Sequence, residues 1–289
     1  MGVLEPVAAP AFAHDRDRMT NLARWLIQSP MSDPAEYAAT LAKLPDGIAE
    51  MSRIIQGVLV HSDWLPAYGL DHAGPAVSRE TLAVADRLRR IFAIDPRPLD
   101  LPRPPVKRSP ATCRDFALLL CSFLRAKNIP ARLRCGFAAY LGGAWEDHWL
   151  CEYSNAPGEA WRLADPQIDD VLKALLPIEF TPPDVPGDMF LTAGQAWLGC
   201  RAGALDPDRF GHGATTGWRF IAVNVARDHY ALNDRETSPW DDWRSAPATA
   251  PELTEDEGVW LDAVAASPEQ GHVAMAPYWA AGRSSRAKH

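Results

Sequence analysis

From Asp33 onward the chain takes up a helical rhythm. Asp33, Pro34 and Glu36 supply a side-chain cap, a proline at the first helical position and an acid in the first turn. Apolar residues then recur at helical spacing through Ile48, Met51, Ile54, Ile55 and Val58, with a break predicted at Pro45. A second stripe of Leu82, Ala85, Leu88, Ile91 and Phe92 predicts a helix over 78–92. Residues 112–126 read as a buried helix carrying Phe116, Ala117, Leu119, Leu120, Phe123 and Leu124, which Asn128-Ile129-Pro130 stops. The period then falls to two: Ala131, Leu133, Cys135 and Phe137 alternate with Arg132, Arg134 and Gly136, predicting a strand over 131–141, with further strands at 147–153 and 160–164. Later, 190–201 reads as a helix, and Thr254 with Glu257 forms a capping box opening a helix to about Ala266. Residues 204–250 carry no assignable pattern, although Trp218, Phe220, Ile221, Val223 and Val225 would supply one more helix or strand. A central helix followed by antiparallel strands makes the chain α+β.

Charge and composition narrow the function classes. The 29 basic against 37 acidic side chains give a net charge of −8, which argues against a general nucleic-acid binder, and no run of apolar residues is long enough to span a bilayer. Proline is abundant, 26 of 289 residues against a typical ~5%, and gathers in 96–110 and 177–186, which read as ordered extended connections. The five cysteines, Cys113, Cys121, Cys135, Cys151 and Cys200, are odd in number and lack paired spacing. A reducing, cytoplasmic location is therefore expected, without a disulfide framework. The expected organisation is a flexible leader at 1–18, with Met19 as a candidate alternative start, a helical N-terminal region at 19–107, a core at 108–176, a C-terminal region at 177–283 that completes the same domain, and a disordered tail at 284–289.

Turn chemistry in the last two strands brings two residues together. If the loop is 155–158, Tyr153 faces Ala160, Leu150 faces Leu163 and His148 faces Asp165, close enough for a carboxylate to accept an imidazole N–H. A loop one residue longer or shorter would put them on opposite faces. Cys113 opens the buried helix, where unpaired N–H groups and the helix dipole are expected to lower a thiol pKa. A thiolate, an imidazole and an orienting carboxylate are the parts of a nucleophile, base and orienter set, which serves acyl transfer through a thioester.

Thr112-Cys113-Arg114-Asp115-Phe116-Ala117, the Ile129-Pro130-Ala131-Arg132 helix stop, His148-Trp149-Leu150-Cys151-Glu152 and Trp161-Arg162-Leu163-Ala164-Asp165-Pro166 together resemble the core of the transglutaminase-like superfamily, over roughly residues 108–170. The resemblance implies a papain/transglutaminase-like fold, with Cys113 as nucleophile, His148 as general base and acid, and Asp165 orienting the histidine. It also implies attack on an amide or peptide carbonyl and transfer of the acyl group to water or to an amine acceptor, with no cofactor or metal. Of the two oxyanion donors this chemistry needs, the Cys113 backbone N–H is one candidate and Gln56 the second. An alternative resemblance is to arylamine N-acetyltransferases, which share the Cys, His, Asp order. A non-catalytic binding or scaffold protein on the same core is a third reading. No nucleic-acid or membrane partner is expected, and neither substrate identity nor oligomeric state is legible.

Other polar residues receive structural readings. Cys121, Cys135 and Cys151 are expected in the core, and the odd separation of His148 and Cys151 on one strand argues against a shared zinc. Arg132 and Arg134 are expected on a solvated strand face, Asp115 and Asp147 in caps or ion pairs, and Glu152 on the His148 face as a second carboxylate near the site. The 177–186 segment with the Trp197 neighbourhood is expected to cover the cleft.

Overall fold

The computed structural model describes residues 22–71, 83–155, 159–239 and 252–270. The expected leader, alternative start and tail, the first residues of the 78–92 helix and most of the 155–158 turn lie outside the described residues. The helices are α1 (Ala38–Leu41), α2 (Ile48–Val58), α3 (Val84–Ile94), α4 (Cys113–Ala126), α5 (Asp170–Leu175), α6 (Ala193–Arg201), α7 (Trp218–Ala231) and α8 (Glu255–Ala266). The strands are β1 (Leu59–His61), β2 (Ser109–Ala111), β3 (Ala131–Ala138), β4 (Trp145–Tyr153), β5 (Arg162–Ala164), β6 (Phe190–Thr192), β7 (Phe210–His212) and β8 (Thr215–Thr216). The architecture is α+β. The main sheet runs β6-β3-β4-β7-β8, with β5 also on β4, and β1 and β2 form a separate parallel pair.

The centre of the molecule is α4 on the β3–β4 hairpin. Phe116, Leu119, Leu120, Phe123 and Leu124 are buried against Leu133, Cys135, Trp149 and Cys151, each such side chain contributing ~1.5–3 kcal/mol by leaving water. The N-terminal helices join this core through Met51, Ile55, Val58, Leu88 and Ile91. A second apolar cluster, built on Phe137, Trp197, Phe210, Tyr230 and Trp260, joins α6, α7 and α8 to the sheet.

Several elements depart from the periodicity. Residues 190–192 are a strand rather than the start of a helix, since Phe190, Leu191 and Thr192 pair with Ala138, Phe137 and Gly136. Gly136 permits this, because a Cβ there would run into the Leu191 carbonyl oxygen and come within 2.7 Å of the Phe190 ring. Thr192 then caps α6 by accepting from the Gln195 N–H. The unassigned 204–250 stretch supplies β7, β8 and α7, and the β1–β2 pair was not foreseen. Arg132 and Arg134 are buried rather than solvated: Arg132 lies 2.5 Å from Glu152, and Arg134 bonds Glu152 and Asp228 at 2.9 Å each. That network consumes Glu152, which is therefore not a second carboxylate at the cleft.

Candidate active site

Thr112 and Asp115 start α4 with a capping box, the Thr112 N–H donating to Asp115 Oδ2 at 2.9 Å. The same carboxylate accepts from the buried Arg87 Nη2 at 2.7 Å, so a capping residue and a charged pair together hold the turn carrying Cys113. Cys113 is the first helical residue, where a backbone N–H has no intrahelical acceptor. It is partly exposed, whereas the other four cysteines are buried free thiols, and Cys121 and Cys151 touch across the core with their sulfurs 3.3 Å apart.

His148 lies on β4, a strand paired on both sides. The register of its β5 neighbour differs from expectation by two residues: Tyr153 faces Arg162, Glu152 faces Leu163 and Cys151 faces Ala164. A shift of two preserves the face, so His148 and Asp165 still meet, diagonally rather than directly opposed. His148 Nε2 is 2.8 Å from Asp165 Oδ2, and both residues are buried. This engages Nε2 with Asp165, and the Cys113 thiol interacts with the same His148 ring and with the Trp149 backbone.

Asp165 is held from several directions. Its Oδ2 accepts from the Tyr140 hydroxyl at 2.7 Å, its Oδ1 accepts from the Gln167 N–H at 3.0 Å, and its own N–H donates to Pro182 O at 2.7 Å. Tyr140 also stands edge-on to the His148 ring, centroids 6.0 Å apart. Burial and the neighbouring Asp165 charge push the Tyr140 phenol well above its usual range, so it acts as a donor. Tyr140 was not singled out from sequence, because at the end of an apolar strand it reads as packing.

Electrostatics correct one expectation. Burial alone would lower the His148 pKa, but the Asp165 charge and hydrogen bond override it and hold the imidazolium up to about 10. Burial pushes the Cys113 thiol up rather than down, against the opposing pull of the His148 hydrogen bond and charge. The helix-terminal position does not outweigh the cost of withdrawing the thiolate from water.

Cys113 and His148 line a cavity of about 470 Å³ with Thr112, Asp147 and Gln167. His61, Asp63 and Trp64 reach it from the N-terminal side of the sequence, and His212, Phe220 and Arg227 from the C-terminal side. Asp147 accepts from Asn224 Nδ2 at 2.8 Å, and burial raises its carboxyl despite Arg227. Glu146 and His212 form a 2.5 Å pair that raises the His212 pKa.

Two expected participants are elsewhere. The Gln56 amide donates to Ile168 O at 3.0 Å and does not line this cavity, so it ties α2 to the segment after Asp165 instead of facing the thiol. The 177–186 segment does not cover the cleft either. Its carbonyls are directed at the back of the site, Pro182 O taking the Asp165 N–H and Pro183 O the Tyr153 hydroxyl. Trp197 is buried in the second apolar cluster, donating to Asp262 at 2.8 Å.

Comparison with curated proteins gives no match. A solved structure described as "Putative Cysteine Protease from Cytophaga hutchinsonii" aligns at 17% identity with a TM-score of 0.36, covering 60% of this chain and 45% of that one, so the alignment spans under half of its length. Residues 74–166, a stretch that contains Cys113, His148 and Asp165, match the family model of the transglutaminase-like superfamily.

Proposed function

We propose that this protein is a cysteine-dependent acyl-transfer enzyme acting on an amide or peptide carbonyl through a thioester on Cys113. The observation that carries the reading is the chain of contacts from the Cys113 thiol through His148 to Asp165 at the edge of one cavity. His148 stands beside Cys113 as an imidazolium; the thiol gives up its proton to solvent, and the resulting Cys113 thiolate, stabilised by that charge, adds to the carbonyl carbon. The imidazolium gives its proton to the leaving amine as the carbonyl re-forms and the C–N bond breaks, and the ring, now neutral, takes a proton from the water or amine acceptor that releases the acyl group. Asp165 fixes the ring's orientation and its charge, and Tyr140 fixes Asp165. No metal or cofactor is needed for these steps.

The test uses p-nitrophenyl acetate as an acyl donor, followed by nitrophenolate release and by the acetyl adduct on tryptic peptides. The expected result is an initial burst with the adduct on Cys113, absent in Cys113→Ala. Turnover in Cys113→Ala equal to that of the intact protein would end this proposal. Adding a primary amine or coenzyme A to the acylated protein then separates hydrolysis from amide-forming and N-acetyltransferase-like transfer.

A further inference from the structure

A second histidine stands at the cavity. β1 and β2 pair in parallel with His61 abreast of Ala111, and the chain passes from β2 through Thr112 into Cys113. His61 is therefore beside the segment that presents the Cys113 backbone N–H. It is 8% exposed and lines the same cavity as Cys113 and His148.

The ring is fixed in one tautomer. His61 Nδ1 accepts from the Asp63 N–H at 3.2 Å, capping the 3-10 turn Ser62–Tyr68. A nitrogen that accepts carries no proton, so the neutral ring bears its single hydrogen on Nε2. Burial drives the His61 pKa down to about 4 despite Asp63, and the His148 charge reinforces this. The ring is accordingly neutral where an acylating thiol operates. Among the described residues, no other hydrogen bond engages His61. The Nε2–H edge is left for whatever occupies the cavity.

We infer that His61 Nε2–H and the Cys113 backbone N–H together form the oxyanion-binding pair of this site. The inference rests on the thioester reading. As the Cys113 sulfur bonds to the carbonyl carbon, the C=O π electrons move to oxygen, and the two N–H groups stabilise that charge. When the carbonyl re-forms and the C–N bond breaks, the His148 proton goes to the departing amine. His61 neither gains nor loses a proton, so it does not compete with His148. Gln56, with its amide on Ile168 O, is not needed for this role.

Two reactions of the same sulfur test the inference. Acylation by p-nitrophenyl acetate passes through an oxyanion, whereas alkylation by iodoacetamide displaces iodide at a saturated carbon and does not. The ratio of the two rates at Cys113 should fall by ~10²–10³ in His61→Ala, and His61→Gln, which restores a side-chain N–H donor, should recover it at least tenfold. His61→Phe keeps the ring's bulk without the donor and should match His61→Ala, providing the comparison if the smaller side chain unfolds the protein. A ratio within threefold of the unsubstituted protein in His61→Ala and His61→Phe, or a His61→Gln ratio no better than theirs, would overturn the assignment. An unsubstituted Cys113 inert to both reagents would overturn the thioester reading and this inference together.

Discussion

Replacing Asp165 by Asn tests the electrostatic core of the site with little change of shape. Asp165 accepts from Tyr140 and Gln167 and holds the His148 imidazolium at 2.8 Å. Without its charge, the burial that lowers the ring's pKa is left largely unopposed, and His148 is expected to be neutral at pH 7. The Cys113 thiol, which burial already pushes up, then loses the positive charge that opposes burial. A unit charge at hydrogen-bond range contributes about 4 kcal/mol at an effective dielectric of 20, or on the order of 10³ in thiolate fraction. Iodoacetamide alkylation of Cys113 at pH 8, read by peptide mass spectrometry, should therefore slow by ~10²–10³ in Asp165→Asn, with the profile displaced to higher pH. The buried Cys121 and Cys135 serve as internal references. In the unsubstituted protein, reactivity should rise through the alkaline range as the thiol ionises, and the imidazolium partner should be lost as pH passes about 10. An Asp165→Asn rate within threefold of the original, with the same pH profile, would refute the coupling of charge from Asp165 through His148 to Cys113.

Other positions give sharper structural readouts. Tyr140→Phe removes the 2.7 Å donor to the Asp165 carboxylate and should cost ~1.5–3 kcal/mol in urea unfolding, with a smaller fall in Cys113 reactivity than Asp165→Asn. Gly136→Ala drives a methyl into the Leu191 carbonyl and should destabilise by ~1–3 kcal/mol while detaching β6; stability within 0.5 kcal/mol would show that β6 can move away freely. His61, with a folded pKa of about 4 against ~6.5 when unfolded, binds its proton preferentially in the unfolded chain. Stability should fall between pH 6.5 and 4, by up to roughly 3 kcal/mol, and His61→Gln should flatten that limb; parallel urea titrations of both proteins would contradict this.

The parts of the molecule with a strong local period were legible in the sequence. The α2 stripe, α4 and the Thr254 capping box appear as expected, and β3 is a strand as its alternation predicts, although both of its faces are buried. Cys113, His148 and Asp165 were brought together through parity, since any even change in the turn returns His148 and Asp165 to one face. What escaped was decided by distant neighbours. Phe190-Leu191-Thr192 is a strand because Gly136 opens space across the sheet, and Arg132 and Arg134 are buried because Asp228, far along the chain, neutralises one end of the cluster. His61 and Tyr140 carry no local signal. Their placement depends on the parallel β1–β2 pairing and on the end of β3, neither of which short-range patterning encodes. The direction of the Cys113 shift is not legible locally, because a helix terminus is visible in sequence and the packing that draws the thiol out of water is not.

The walls of the cavity come from three separate stretches of chain. Cys113, His148 and Asp165 belong to one continuous helix-and-hairpin segment, whereas Trp64 precedes it and His212, Phe220 and Arg227 arrive from 210–227. On the proposed reading, the sulfur, imidazole and carboxylate are thus written in one passage of the sequence and much of the wall that would select a substrate in another. If the proposed reaction holds, substitutions in the later passage would remodel the acyl group that fits while leaving the sulfur, imidazole and carboxylate as they are, so related chains would be free to diverge in substrate without first losing that chemistry. The same modularity makes the 210–227 stretch the natural place to randomise when searching for altered specificity.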